Sequence, residues 1–249
     1  MLAQPGLFGD EFGLKRAMLQ VVPDPSPDLN IAPDAGRVFL LSPASCTGRR
    51  AQLLLRPEAD FDLAVRLRSR QGATLGEVFS FVSGLYFRGK LTYAAAFSRP
   101  PGGLAGALVI TPCDGLVPPD RLVDSEHVRR FAEVDVSPDV PRYREPLLRD
   151  ARALGERLDP STEVVLLGSI ATAKYVDILS LCLGTRLCFP GEFVGRGDMS
   201  RGGLMLRCVA ERRELEYVPV SGATRRGPRP PKLVPRPGIL KRIAGAEPS

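Results

Sequence analysis

The chain has 249 residues, 44% of them apolar, and carries a formal charge of +6 at neutral pH. That composition buries one sizeable core, or one core plus tails, and no apolar run approaches the roughly 18 to 20 residues of a membrane span. The N-terminus lacks the basic-then-apolar order of a signal peptide, and five cysteines with a single histidine, His127, form no zinc-ligand spacing. We therefore expect no metal, reduced thiols and a cytoplasmic location.

Residues 1–35 are rich in Pro, Gly and Asp without sustained periodicity, and we expect a flexible leader there. "RVFLLSP" (37–43) is the first predicted strand. "AQLLL" starts a short helix, and "FDLAVRLRS" (61–69) continues helically. "TLGEVFSFVSGLYFRGKLTYAAAF" (74–97) reads as two helices, with Thr74 and Glu77 at capping-box spacing. "GALVITP" (106–112) is a second strand, followed by a turn-rich segment in which His127 sits on a surface helix. "YREPLLRDARALGERL" (143–158) is an amphipathic helix ended by Asp159-Pro160. "EVVLLGS" (163–169) is a third strand, apolar on both faces. Residues 171–183 are helical and "TRLCFP" (185–190) is a fourth strand. "GLMLRCVAE" (203–211) and "LEYVPV" (215–220) are expected to close the sheet, as an antiparallel pair. Strand–helix alternation predicts an α/β fold: a single three-layer domain over 36–220, with a mainly parallel central sheet and flexible tails.

In a parallel sheet, ligands bind outside the carboxyl ends of the strands. Each predicted strand ends in small or turn-forming residues, so four loops are expected at one edge. The first offers Ser42, Ser45, Cys46, Thr47 and Gly48, hydroxyls and backbone N–H groups beside a helix start, with Arg49 and Arg50 for phosphate or carboxylate. It matches neither the Walker loop nor the GxGxxG dinucleotide fingerprint, so no cofactor is expected. The competing reading is an ordinary turn with both arginines in solvent. The second loop carries Asp114 and Gly115, a general base or sugar-hydroxyl ligand, or simply a turn dipeptide. The third offers Gly168 and Ser169. The fourth, "GRGDMSRGG" (195–203), offers Gly195, Arg196, Gly197 and Asp198, with Arg201 beyond; its glycines permit close backbone approach, or mark a mobile loop. Tyr86 and Lys90 in "GLYFRGKL" are placed to reach the crevice, whereas Phe87 is expected in the core. A cysteine nucleophile at Cys46 or Cys113 would need His127 as its base.

The positive charge is concentrated at one end. Residues 221–249 hold Arg225, Arg226, Arg229, Lys232, Arg236, Lys241 and Arg242 against one acid, Glu247, leaving 27 basic and 27 acidic residues in 1–220. A basic, proline-rich tail does not pack a core and is expected to be disordered. Its functional reading is a salt-sensitive contact with the phosphate backbone of DNA or RNA. The alternative is a solvated tail.

The order of "SPASCTGRR", "GLYFRGKL", "TPCDGLVPPDRLV", "VVLLGS" and "VGRGDMSRGG" resembles the archaeosine-synthase and uracil-DNA-glycosylase-like α/β domains, over about residues 37–206. Here Arg49 and Arg50 stand where that pattern has a lysine, and the Ala-Lys-Tyr before Gly-Leu is missing. The resemblance implies a site for a nucleobase or nucleotide at the strand edge. It extends to action on an N-glycosidic bond, with Asp114 activating water or holding the sugar. A non-catalytic nucleotide-binding adaptor or sensor, recruiting partners through its tails, is the alternative. Separately, "QPGLF" resembles the Gln-x-x-Leu-Phe peptide by which bacterial proteins dock on the DNA sliding clamp, with Gln4, Leu7 and Phe8 as its anchors.

Overall fold

Alternating apolar residues in short β-branched and leucine-rich runs sort themselves to opposite faces of a sheet, and the computed structural model of this chain, which describes residues 36–233, shows that sorting in its central strands. Residues 1–35 and 234–249 lie outside the described residues, and with them Gln4, Leu7 and Phe8 and Arg236, Lys241 and Arg242. In chain order the elements are β1 (Arg37–Leu41), α1 (Arg49–Leu54), α2 (Asp62–Arg68), β2 (Ala73–Thr74), α3 (Leu75–Ser83) and α4 (Leu85–Phe97). Then follow β3 (Ala107–Ile110), β4 (Leu116–Val117), β5 (Leu122–Val123), α5 (Ser125–Ala132) and α6 (Pro141–Arg157). The last are β6 (Glu163–Leu167), α7 (Ala173–Leu183), β7 (Leu187–Pro190), α8 (Asp198–Glu211) and β8 (Tyr217–Pro219).

Six strands form one sheet in the order β4-β3-β1-β6-β7-β8. The inner four are parallel, and β4 and β8 add antiparallel edges. Leu41 ends β1 in register with Val109 and Leu167. Phe39, Leu41, Val165 and Leu167 pack on one face, with residues of α1 to α5 and α8. Val38, Leu40, Val164 and Leu166 pack on the other, beneath α6 and α7. Helices on both faces of a mostly parallel sheet make the three-layer α/β arrangement expected from strand–helix alternation.

The chain leaves β1 towards β3 on one side and later returns to β6 on the other. The carboxyl ends of β1 and β6 therefore flank a topological switch point, where connections depart in opposite directions and where sheets of this kind place their ligands.

One expectation fails. Residues 203–211 do not join the sheet but form most of α8. Leu204, Met205 and Cys208 share one buried helical face, a spacing that a strand would divide between both sides. Only β8 joins the sheet, antiparallel to β7. The turn-rich segment after β3 also holds more order than expected, with β4, α5 and β5, which pairs antiparallel with the earlier β2. Among the described residues, no helix is long and apolar enough to cross a membrane.

Candidate functional site

The polar centre of the switch point is built from Ser42, the first residue past β1. Its backbone N–H and its hydroxyl both donate to the Leu167 carbonyl at the end of β6, at 3.3 and 3.2 Å. That clip ties the first loop to the end of β6. Lys90, on α4, is wholly buried. Its ammonium donates to the Ser42 carbonyl at 2.6 Å and to the Ser42 hydroxyl at 2.9 Å. The rings of Tyr86 and Phe87 lie 4.3 and 4.8 Å from Nζ, the distance of a cation–π contact.

Three further elements close around this pair. Gly168 is confined, since a Cβ there would stand 2.9 Å from the Tyr175 hydroxyl and 3.0 Å from the Ser42 Cβ. The Tyr175 hydroxyl accepts from the Ser169 backbone N–H at 3.1 Å. From α8 comes Arg201, only 7% exposed. It donates to the Phe193 carbonyl at 3.1 and 3.2 Å, to Asp198 at 3.3 Å and to the Ser169 hydroxyl at 3.5 Å. The helices that carry Lys90 and Arg201 cross at two glycines: a Cβ on Gly89 would lie 2.8 Å from the Gly202 carbonyl, and one on Gly202 would lie 2.8 Å from the Leu85 carbonyl. That close approach sets Arg201 beside Tyr86. The Tyr86 hydroxyl is buried, faces Arg201 and makes no well-formed hydrogen bond.

The electrostatics follow from burial. Loss of hydration pushes the Lys90 ammonium down to about 7; Asp198 opposes that shift and Arg201 adds to it. Burial pushes the phenols of Tyr86 and Tyr175 upwards, so both stay neutral donors. The buried cluster thus gathers the guanidinium of Arg201, an amine pushed down to about 7, and several hydroxyls around aromatic rings. Such a set can hold an anion or the carbonyl oxygens of a planar heterocycle.

The other sequence candidates are placed as follows. Ser45 and Thr47 are exposed and bond each other at 3.0 Å. Cys46 is buried, its thiol pushed up to about 12 by desolvation. Gly48 caps α1, Arg49 is exposed, and exposed Arg50 donates to the Phe81 carbonyl at 3.3 Å. The first loop thus sends Ser42 inwards and Ser45, Thr47 and both arginines outwards. Gly195 turns with φ of 73°, Gly197 caps α8, and Arg196 donates to the Glu192 carbonyl and to Ser200. Asp198 is already the first residue of α8, so two thirds of the predicted glycine loop, 198–203, is helix.

Asp114 stands elsewhere. Its backbone N–H donates to the Thr111 hydroxyl, and its carboxylate pairs with Arg130 at 3.5 Å. With Cys113, Arg142 and Glu145 it lines a cleft of about 580 Å³ at the start of α6. Gly115 beside it packs on Pro146 and Asp150 of α6, across the sheet from α4. Asp124 bonds the His127 imidazole at 2.7 Å, and burial beside Asp114 pushes the Cys113 thiol up to about 11. This describes a capping pair and a protonated thiol, not a cysteine–histidine dyad.

Tyr175 and Phe193 carry no motif and were not legible as site residues. Their one sequence signal is position, each shortly after a strand end. Among the described residues, no group of His, Cys, Asp and Glu gathers as metal ligands would. The chain matches no family model, no curated protein and no solved structure.

Proposed function

We propose that the chain binds a nucleobase or nucleotide in the crevice between the ends of β1 and β6. The observation that carries this reading is the buried Lys90 at a topological switch point, packed under a tyrosine whose hydroxyl has no partner. A buried polar group without a partner costs about 1–3 kcal/mol, and a ligand oxygen or ring nitrogen at Tyr86 would offset it. Arg201 and Lys90 supply positive charge for a phosphate or an electron-rich carbonyl, and Tyr86 and Phe193 supply ring faces for a base. The ordered resemblance to archaeosine-synthase and uracil-DNA-glycosylase-like domains supports the same ligand class.

Action on an N-glycosidic bond is the stronger form of the proposal. It needs a carboxylate beside the sugar, and the carboxylate bonded into this cluster is Asp198, on Arg201. Asp114 belongs to the cleft at α6. Turnover that Asp198→Asn abolishes and Asp114→Asn spares supports cleavage in the crevice, and the reverse pattern moves the chemistry to the α6 cleft. Ligand binding without turnover in the unaltered protein supports the adaptor.

Thermal shift and calorimetry with nucleobases, mononucleotides and short oligonucleotides test the binding itself. We expect stabilisation by at least one base-containing ligand, lost in Lys90→Met. A melting temperature indifferent to every one of them would sink the proposal.

A further inference from the structure

We propose that the crevice receives its base from a single-stranded nucleic acid, whose phosphodiester backbone follows the exposed cations near α4 and α8. This rests on the nucleotide reading above and names its substrate class. The first support is the path of the chain after β8. Arg225 pairs with Asp177 of α7 at 3.2 Å. Gly227 then meets Val194, with its Cβ position 2.8 Å from Cγ1, and the Pro228 carbonyl lies hard against Gly195. Leu233 packs on the core of the β1 face and beside Gly203 of α8. Residues 225–233 are therefore a strap fixed at both ends. They cross the loop between Phe193 and α8, and the Phe193 carbonyl is the one that holds Arg201.

The second support is what the strap carries. Arg226, Arg229 and Lys232 are exposed and make no hydrogen bond or ion pair with other described residues. Most arginines of the body, by contrast, are partnered, as Arg37, Arg66, Arg130 and Arg213 are. Three residues apart in an extended segment, these cations stand about 10 Å from one another. A further exposed cation, Arg50, lies against Gly84 at the start of α4, whose next residue, Leu85, touches Gly202 of α8. Exposed cations thus stand near both helices of the crossing, Arg50 at Gly84 before α4 and the strap beside Gly203 of α8, and Lys90 and Arg201 are buried in those same helices.

A flexible, narrow polyanion fits this layout better than the other anionic surfaces. Docking on a membrane would call for apolar residues turned outwards beside the charges, whereas the large apolar residue of the strap, Leu233, is turned into the core. A single strand presents phosphates to the cations and an unpaired base to the crevice, with ring faces at the end of the path.

The test compares the full-length protein with Arg226→Ser/Arg229→Ser/Lys232→Ser and with Lys90→Met. Fluorescence anisotropy is read on single-stranded DNA and RNA oligonucleotides, a duplex of the same sequence, a poly-glutamate peptide and vesicles containing phosphatidylserine. Calorimetry on mononucleotides runs in parallel. In the triple variant, single-strand affinity should fall at least about tenfold at low salt, and the slope of log K against log salt should shrink by about 2. Mononucleotide affinity should not change. Lys90→Met should lose the mononucleotide and keep the slope. An unchanged slope in the triple variant overturns the proposal, as does tighter binding of the duplex, the peptide or the vesicles. Mononucleotide binding with no gain from a longer strand sinks the track alone; a salt-dependent single-strand affinity without mononucleotide binding sinks the crevice reading instead.

Discussion

A lysine with no exposure to water gives up its hydration, and Lys90 recovers only part of it from the two oxygens of Ser42. The consequence is a pH dependence with a definite sign. The folded state holds the Lys90 proton only up to about pH 7, the unfolded chain up to about 10.5. Between those values the unfolded state binds more protons, so this group makes stability rise with pH. The contribution is complete above the unfolded value and is lost as pH falls through the window. Urea midpoints from pH 7 to 10 in wild type and Lys90→Met isolate it, because the buried thiols, raised in the folded state, act with the opposite sign. The wild type should gain on the variant at up to about 1.4 kcal/mol per pH unit. Parallel curves would mean that Lys90 stays charged. Tyr86 supplies a second test. Tyr86→Phe deletes a buried hydroxyl without a partner, so it should stabilise the fold by about 1 kcal/mol. It should also weaken nucleotide binding. Gain of stability with loss of affinity is the signature of a residue kept for a ligand, and loss of both would make Tyr86 a packing residue.

Between elements, the α4–α8 crossing brings the two cations together. Gly89 and Gly202 let the backbones touch, and a methyl at either position meets a carbonyl or Cα rather than a movable side chain. Gly202→Ala should cost about 1–3 kcal/mol and, by moving Arg201, weaken ligand binding as well. Thr74→Ala provides the control. Its hydroxyl accepts from the Glu77 backbone, and the Glu77 carboxylate accepts from the Thr74 backbone, closing the capping box that starts α3. Losing it should cost about 1 kcal/mol of stability with no change in affinity. The capping box was legible from four residues because it is local. The crossing was not, because "RGK" and "RGG" say nothing of which helix each meets.

At the scale of the molecule, the excess charge comes from one end of the chain and the buried cluster from its middle. Residues 1–220 are balanced in charge and the excess lies beyond them, yet the strap lays part of that excess over Val194, Gly195 and the Gly203 turn of α8. Leu233 is its anchor. Leu233→Asp should free the strap, leaving the melting temperature within a few degrees but reducing the salt slope for single-stranded DNA. An unchanged slope would show that the strap cations act without being held. The opposite end of the sheet needs no ligand: Arg37 is bonded to Glu163 and Glu214 and lies 4.6 Å from the Tyr217 ring, which ties β1 to β6 and to the segment before β8.

By itself the sequence determined the order and type of the longer elements, α8 excepted, because those follow from periods of 2 and 3.6 and from short-range caps and breaks; the two-residue strands β2, β4 and β5 are too short to carry a period. It also pointed to the strand ends as the place to look, and picked out Tyr86 and Lys90. It misread 203–211 as a strand from its short apolar run, although Leu204, Met205 and Cys208 fall on one face only at the helical period. Only the tertiary structure decided the composition of the site. It turned Ser42 inwards and Ser45, Thr47, Arg49 and Arg50 outwards, and moved Asp114 to the α6 cleft. It also recruited Arg201 and Tyr175 to Lys90 across long sequence separations. The physical reason is that burial creates the chemistry: an amine that titrates near 7 and a tyrosine hydroxyl without a partner exist only where packing from several elements has excluded water.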